Sequence, residues 1–179
     1  STGARLYVAS SFDNNVQVID AQNNSRVTVI PTAMRPNGLA LDEKNNRLYV
    51  TNSDSDSVNM IDTTTNRVTA TIPLAMSITA LTANETLARV YAANSAGDAV
   101  YVIENGKVTK QVSVGRHPIA LARDSKTNTL YVANQADGTL TALDETSLTI
   151  RSATFVTRTL YGLDVDVENR HLFADSTIF

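Results

Sequence analysis

Cysteine and tryptophan are both absent from this sequence, and there are only seven glycines and four prolines. Without cysteine there is neither a disulfide framework nor a thiolate metal site, although the compartment stays open, since cytosolic and secreted proteins alike can lack the residue. The two histidines, His117 and His171, are far apart and have no second His or Cys at ligand spacing, which argues against a metal centre. Also missing are a Gly-rich phosphate loop, a Gly-x-Ser-x-Gly elbow and a His-Glu-x-x-His pair, so hydrolase machinery is not visible and no cofactor is expected. There is no run of about 18 apolar residues and no basic-then-apolar leader, so no membrane insertion is expected, while a processed leader would leave no trace. A formal charge of -3 gives no basic field for nucleic acid or an anionic membrane.

What the chain does have is Val, Ile, Leu and Thr in short alternating runs, a mixture that favours strands. Those runs repeat. The segment Tyr49-Val50-Thr51-Asn52 returns as Tyr7-Val8-Ala9-Ser10, Tyr91-Ala92-Ala93-Asn94, Tyr131-Val132-Ala133-Asn134 and Phe173-Ala174-Asp175-Ser176, with anchors 42, 42, 40 and 42 residues apart. Thirteen residues after each of the first four anchors comes an acid: Asp20, Asp62, Glu104 and Asp144. These acids and the anchor Asn and Ser residues are read as turn and hairpin fixtures, with Asx-type bonding at the acids.

Within each period the pattern predicts four short strands. In the first full copy they are Gly38 to Leu41, Arg47 to Thr51, Val58 to Ile61 and Arg67 to Ile72, separated by polar turns. Four antiparallel strands every ~40 to 45 residues is the period of a β-propeller blade. The fold class is therefore all-β, with a partial blade over 1–34, blades over 35–76, 77–116 and 117–158, and the start of another over 159–179. Gly38, Ala80, Ala120 and Gly162 share one position on the innermost strand, where neighbouring blades crowd. Leu39, Leu81, Leu121 and Leu163 follow them and are expected to be buried between blades.

The segments Arg47-Leu48-Tyr49-Val50-Thr51-Asn52, Val58-Asn59-Met60-Ile61-Asp62 and Val114-Gly115-Arg116-His117-Pro118-Ile119-Ala120-Leu121-Ala122 resemble the YVTN-repeat β-propeller family, over essentially the whole chain. That resemblance implies a ring of mostly seven blades, in bacterial or archaeal proteins of the periplasm, the cell surface or enzymatic systems. This chain has four complete periods and stops at Phe179 inside the fifth, so the blade faces at its ends are expected to pair with missing blades or with a second copy.

Functional residues in a repeat protein belong where copies disagree. The crossing loops carry Met34, Met76, Arg116 and Arg158 at one position and Arg35, Ser77, His117 and Thr159 at the next. Arg35, Arg116, His117 and Arg158 thus form a candidate basic rim for a small anion. On the innermost strands Arg123 and Asp164 replace apolar or small residues of the other copies, and are expected to pair across adjacent blades. Two functions follow: a non-enzymatic binding or scaffold module, periplasmic or at the cell surface, presenting rim loops to a protein or glycan; or a funnel-site enzyme of sugar-phosphate lactonase type, using Arg35, Arg116, Arg158 and Asp164.

Overall fold

A computed structural model describes residues 4–158, 160–169 and 171–175. Thr159 and Ser176, used in the repeat alignment, and Phe179 lie outside them. The described residues form seventeen strands and no helix. β1 (Arg5–Ser10), β2 (Asn15–Asp20) and β3 (Arg26–Pro31) make a three-stranded sheet. β4 (Pro36–Asp42), β5 (Arg47–Asn52), β6 (Ser57–Asp62) and β7 (Arg67–Pro73) make the first four-stranded blade. The next contains β8 (Ile78–Asn84), β9 (Arg89–Asn94), β10 (Ala99–Glu104) and β11 (Lys107–Ser113). The third contains β12 (Pro118–Asp124), β13 (Thr129–Asn134), β14 (Thr139–Asp144) and β15 (Ile150–Phe155). β16 (Gly162–Asp166) and β17 (His171–Asp175) form a final pair.

Every sheet is antiparallel and follows chain order, and β4, β8, β12 and β16 lie beside one another as the innermost strands. The reversals are made by residues in the left-handed region, and these recur with the repeat. Asn14, Asp56, Asp98 and Gly138 hold one turn; Asn24, Asn66, Gly106 and Leu148 hold the next. Arg35, Ser77 and His117 hold the crossing loop, and Asn46, Ala88 and Asn128 the turn after the innermost strand. Asn and Gly tolerate this backbone; Ala88 and Leu148 adopt it against their preference.

The turn acids act as expected at three of four positions. Asp20, Asp62 and Asp144 accept backbone N–H bonds from residues two or three ahead. A second series, Asp42, Asn84, Asp124 and Asp166, does the same after each innermost strand. Glu104 is the exception: its longer side chain reaches Arg89 at 2.5 Å, and its turn is the two-residue Asn105-Gly106, both at positive φ.

Alternation along each middle strand sends its side chains to two different neighbours. Leu48 and Val50 of β5 face back onto Val16, Val18 and Ile30 of the preceding sheet. Tyr49, between them in sequence, faces forward onto Val90, Ala92 and Ile103 of the next blade. Tyr91 repeats this against Leu130, Val132 and Leu143. One apolar interface is thus built three times. Leu39, Leu81 and Leu121 pack against these three clusters in turn, yet are half-buried rather than buried. They stand on the innermost strand of each sheet, which among the described residues has a hydrogen-bonded neighbour on one side only.

Candidate functional site

Backbone bonds between turns sort the loops onto two faces. On the upper face the crossing loops meet the hairpins of the second and third strands: Ser53 N–H donates to the Arg35 carbonyl, Ser95 to Ser77 and Gln135 to His117, each at 3.0 Å. On the lower face Thr63 N–H donates to the Asn46 carbonyl and Glu145 to Asn128, again at 3.0 Å.

The candidate rim residues sit on upper-face crossing loops, and the loop positions explain why their backbones are fixed. Arg35 N–H donates to Asn14 Oδ1 and His117 N–H to Asp98 Oδ1, both at 2.8 Å, so the hairpin of one blade caps the loop entering the next. Their charges are largely answered locally. Arg35 lies 3.5 Å from Asp54, and Arg116 donates through Nε to Asp137 at 2.6 Å. The Arg116 backbone N–H and guanidinium hold the Asp137 carboxyl below the usual carboxylate range, and Asp137 in turn raises Arg116. Arg158 is exposed.

Arg123 does not pair with Asp164. Its Nε and Nη2 donate to the two carboxylate oxygens of Glu145 at 2.5 and 3.1 Å, while Nη1 donates to the Ala83 carbonyl of the neighbouring blade at 2.6 Å. The Glu145 side chain is wholly buried, so the guanidinium satisfies a carboxylate that water cannot reach. Asp164 is exposed, and its carboxylate accepts from the N–H of Val165 at 2.8 Å. Arg89 joins the same lower-face group, donating to the Glu145 carbonyl at 2.5 Å beside the Tyr91 hydroxyl, which donates to it at 3.4 Å. Burial pushes the Tyr91 phenol up to about 12. Among the described residues no group of three or more His, Asp or Glu side chains is placed to hold a metal ion.

The upper face also carries exposed apolar side chains. Phe12 is 98% exposed and Met34 55%, and both line a cavity of about 390 Å3 with Ser11, Asn14, Arg35 and Asp54. A second cavity of about 210 Å3 opens one blade on, where Met76 and Ser77 face Asn52 and Asp56. The signal was present in the repeat: Phe12 stands where the other copies have Asp54, Ala96 and Ala136, and Met34 and Met76 stand where later copies have Arg116 and Arg158.

No curated protein matches the chain. Among solved structures, a hydrazine synthase from Kuenenia stuttgartiensis matches with a TM-score of 0.80 at 18% identity, over 90% of this chain and 48% of its own. The chain therefore spans about half the length of that protein, and the likeness is one of fold alone. The family model of the YNCE-like beta-propeller matches residues 1–168, and the chain belongs to that family.

Proposed function

We propose that this chain is a non-enzymatic binding module of YVTN-repeat type, acting in the periplasm or at the cell surface, whose upper face takes a protein partner. The observation that carries the reading is Phe12, 98% exposed at a hairpin tip and set against Met34 over a shallow cavity. A solvated aromatic beside a flexible thioether gains apolar burial when covered, and such residues are enriched at the centres of protein interfaces. The Arg35 and Asp54 pair on the rim of that cavity supplies orienting polar groups. The enzymatic alternative draws less support, since Asp54 and Asp137 already engage two of its three guanidinium groups.

The test is panning of a displayed peptide library, with a glycan array in parallel, on the wild-type chain and on Phe12→Ser and Met34→Ser. Ligands that bind wild type and lose tenfold or more on the variants, at unchanged melting temperature, support the reading; glycan ligands alone change the partner class. A protein without ligands dependent on Phe12 or Met34, but turning over a phosphorylated lactone in an Arg116-dependent way, would be the enzyme instead.

A further inference from the structure

The crossing loop that leads into each complete blade presents two consecutive backbone N–H groups, and in two of the three loops both are capped by hairpin residues. Ahead of the first blade Met34 N–H donates to Ser55 Oγ and Arg35 N–H to Asn14 Oδ1, each at 2.8 Å. Ahead of the third, Arg116 N–H donates to Asp137 Oδ2 at 2.6 Å and His117 N–H to Asp98 Oδ1 at 2.8 Å. The loop between them differs. Met76 and Ser77 hold the same positions, yet neither N–H has a partner among the described residues. Gly97 stands where Ser55 and Asp137 supply one cap. Asp56 stands where Asn14 and Asp98 supply the other, but its carboxylate makes no hydrogen bond or ion pair among the described residues.

These groups border the cavity of about 210 Å3, lined by Asn52 and Asp56 on the hairpin of the first complete blade and by Ala75, Met76, Ser77 and Ile78 on the chain entering the second. Asn52 adds a further unmet group. It is 1% exposed, and its Oδ1 is shut off from solvent with no hydrogen-bond partner among the described residues. The amide is held in this orientation, because Nδ2 donates at 3.1 Å to Asn59 Oδ1, which also accepts from Ala33 N–H at 2.9 Å, while Asn59 Nδ2 donates to Thr71 Oγ1 at 2.9 Å. Asn134 Oδ1 is unbonded too, but its amide is packed against Gly115, where a Cβ would stand 2.7 Å from Asn134 Cγ.

We infer that this cavity is a binding site for a small zwitterion of the α-amino acid class. The ligand carboxylate takes the N–H groups of Met76 and Ser77, as the Asp137 and Asp98 oxygens take those of Arg116 and His117, and successive backbone N–H groups in a turn are a recurrent anion cradle. The ligand ammonium goes to the Asp56 carboxylate, a charge-assisted bond, and to Asn52 Oδ1, an acceptor otherwise buried without a donor. Ala75, Met76 and Ile78 border its side chain. A lone anion would meet the like charge of Asp56, and a lone cation would leave both N–H groups without an acceptor. One ligand with both charges on neighbouring atoms answers all of them. The site draws on neither Phe12 nor the protein partner proposed to cover it.

The test is calorimetric titration of glycine, alanine, leucine and phenylalanine into the chain, followed in parallel by amide NMR. Saturable binding of at least one, with the backbone amides of Met76 and Ser77 and the side-chain amide of Asn52 shifting together, is the expected result. The N-acetyl and carboxamide derivatives of the tightest binder each keep one charge, as the two ends of a peptide do, and should bind at least tenfold more weakly. Asp56→Asn places at an exposed position the residue that Asn14 supplies to the equivalent loop, so it should melt as wild type does and lose tenfold or more in affinity. The inference is overturned if none of the four amino acids binds, if the shifts fall elsewhere, or if Asp56→Asn binds unchanged. A derivative that binds as tightly as the free amino acid assigns the cavity to a peptide terminus and overturns it too.

Discussion

Arg123 and Glu145 complete one another at the lower end of the interface between the second and third complete blades. One guanidinium meets both oxygens of a carboxylate with no solvent contact, and its remaining arm ties down a carbonyl of the adjacent blade. The equivalent residues one interface earlier are Ala83 and Asn105, and before that Leu41 and Thr63, so the same fold closes without the pair.

Removing one partner should therefore be worse than removing both. Glu145→Ala leaves Arg123 unpaired in a largely buried setting and is expected to lower stability by about 3 to 5 kcal/mol. The double variant Arg123→Leu with Glu145→Thr borrows residues already proven at the first of these interfaces, and should recover most of that loss. Urea unfolding midpoints of the two single variants and the double variant check it; a double variant no better than its worse parent would contradict it.

Ala88 has φ 51° in the turn where Asn46 and Asn128 occupy the other copies. A left-handed conformation costs a residue with a Cβ roughly 1 to 2 kcal/mol, and Asn is penalised less. Ala88→Asn should raise stability by about 0.5 to 1 kcal/mol, read as an upward shift in thermal midpoint. The reverse change, Asn128→Ala, should lower it.

Leu143 is fully buried in the cluster with Tyr91 and Val132, while Leu121 is only half covered by that cluster. Leu143→Ala is expected to cost about 2 to 5 kcal/mol and Leu121→Ala about half as much. Chemical unfolding of the two variants decides this ordering, and equal losses would mean that the inner edge is better sealed than its exposure implies.

Carboxyl groups at the turns carry an acid dependence. Asp144 lies well below the ordinary carboxylate range, first through the Ser147 N–H and then through Arg151; Asp62, through Thr65 and Thr64, and Asp166, through Asn169, are lowered too. A folded-state value below the unfolded one stabilises above about pH 3.9 and is lost as pH falls beneath it. Stability should decline below about pH 4, and less steeply in Asp144→Asn, which keeps the turn acceptor but not the charge. Tyr91 gives the alkaline counterpart. Its folded value of about 12 exceeds the unfolded value, so its contribution is complete below about pH 10 and fades as pH rises to 12. Tyr91→Phe should flatten that limb of the stability profile.

The architecture was legible because it rests on short-range rules repeated in register. Anchors, turn acids and small inner-strand residues each answer a local requirement, and each reappears where the next copy needs it. The partner of Arg123 was not legible in the same way. Glu145 occupies a turn after the third strand of its blade, where the other copies hold Ala21, Thr63 and Asn105, and only the folded blade brings that turn under the innermost strand. Asp164 was the more visible acid because it shares a strand position with other inner residues, but its side chain points to solvent and local backbone. Phe12 was not legible for a different reason: an apolar residue at a hairpin tip becomes meaningful only once its exposure is known.

The thrice-built interface makes the period a unit of exchange. Because the forward face of any blade matches the backward face of any other, rejoining the chain from Asn52 to Ser95 removes one period while leaving Tyr49 with a Val100 and Val112 of the kind it already packs against in Val58 and Ile72. Duplication or loss of a whole period by recombination therefore changes the arc of the protein by one step and leaves every remaining contact type in place. The 40-residue spacing between Tyr91 and Tyr131 shows that a turn absorbs a small change of length, whereas a one-residue insertion inside a strand would reverse which side chains of that strand face each neighbour.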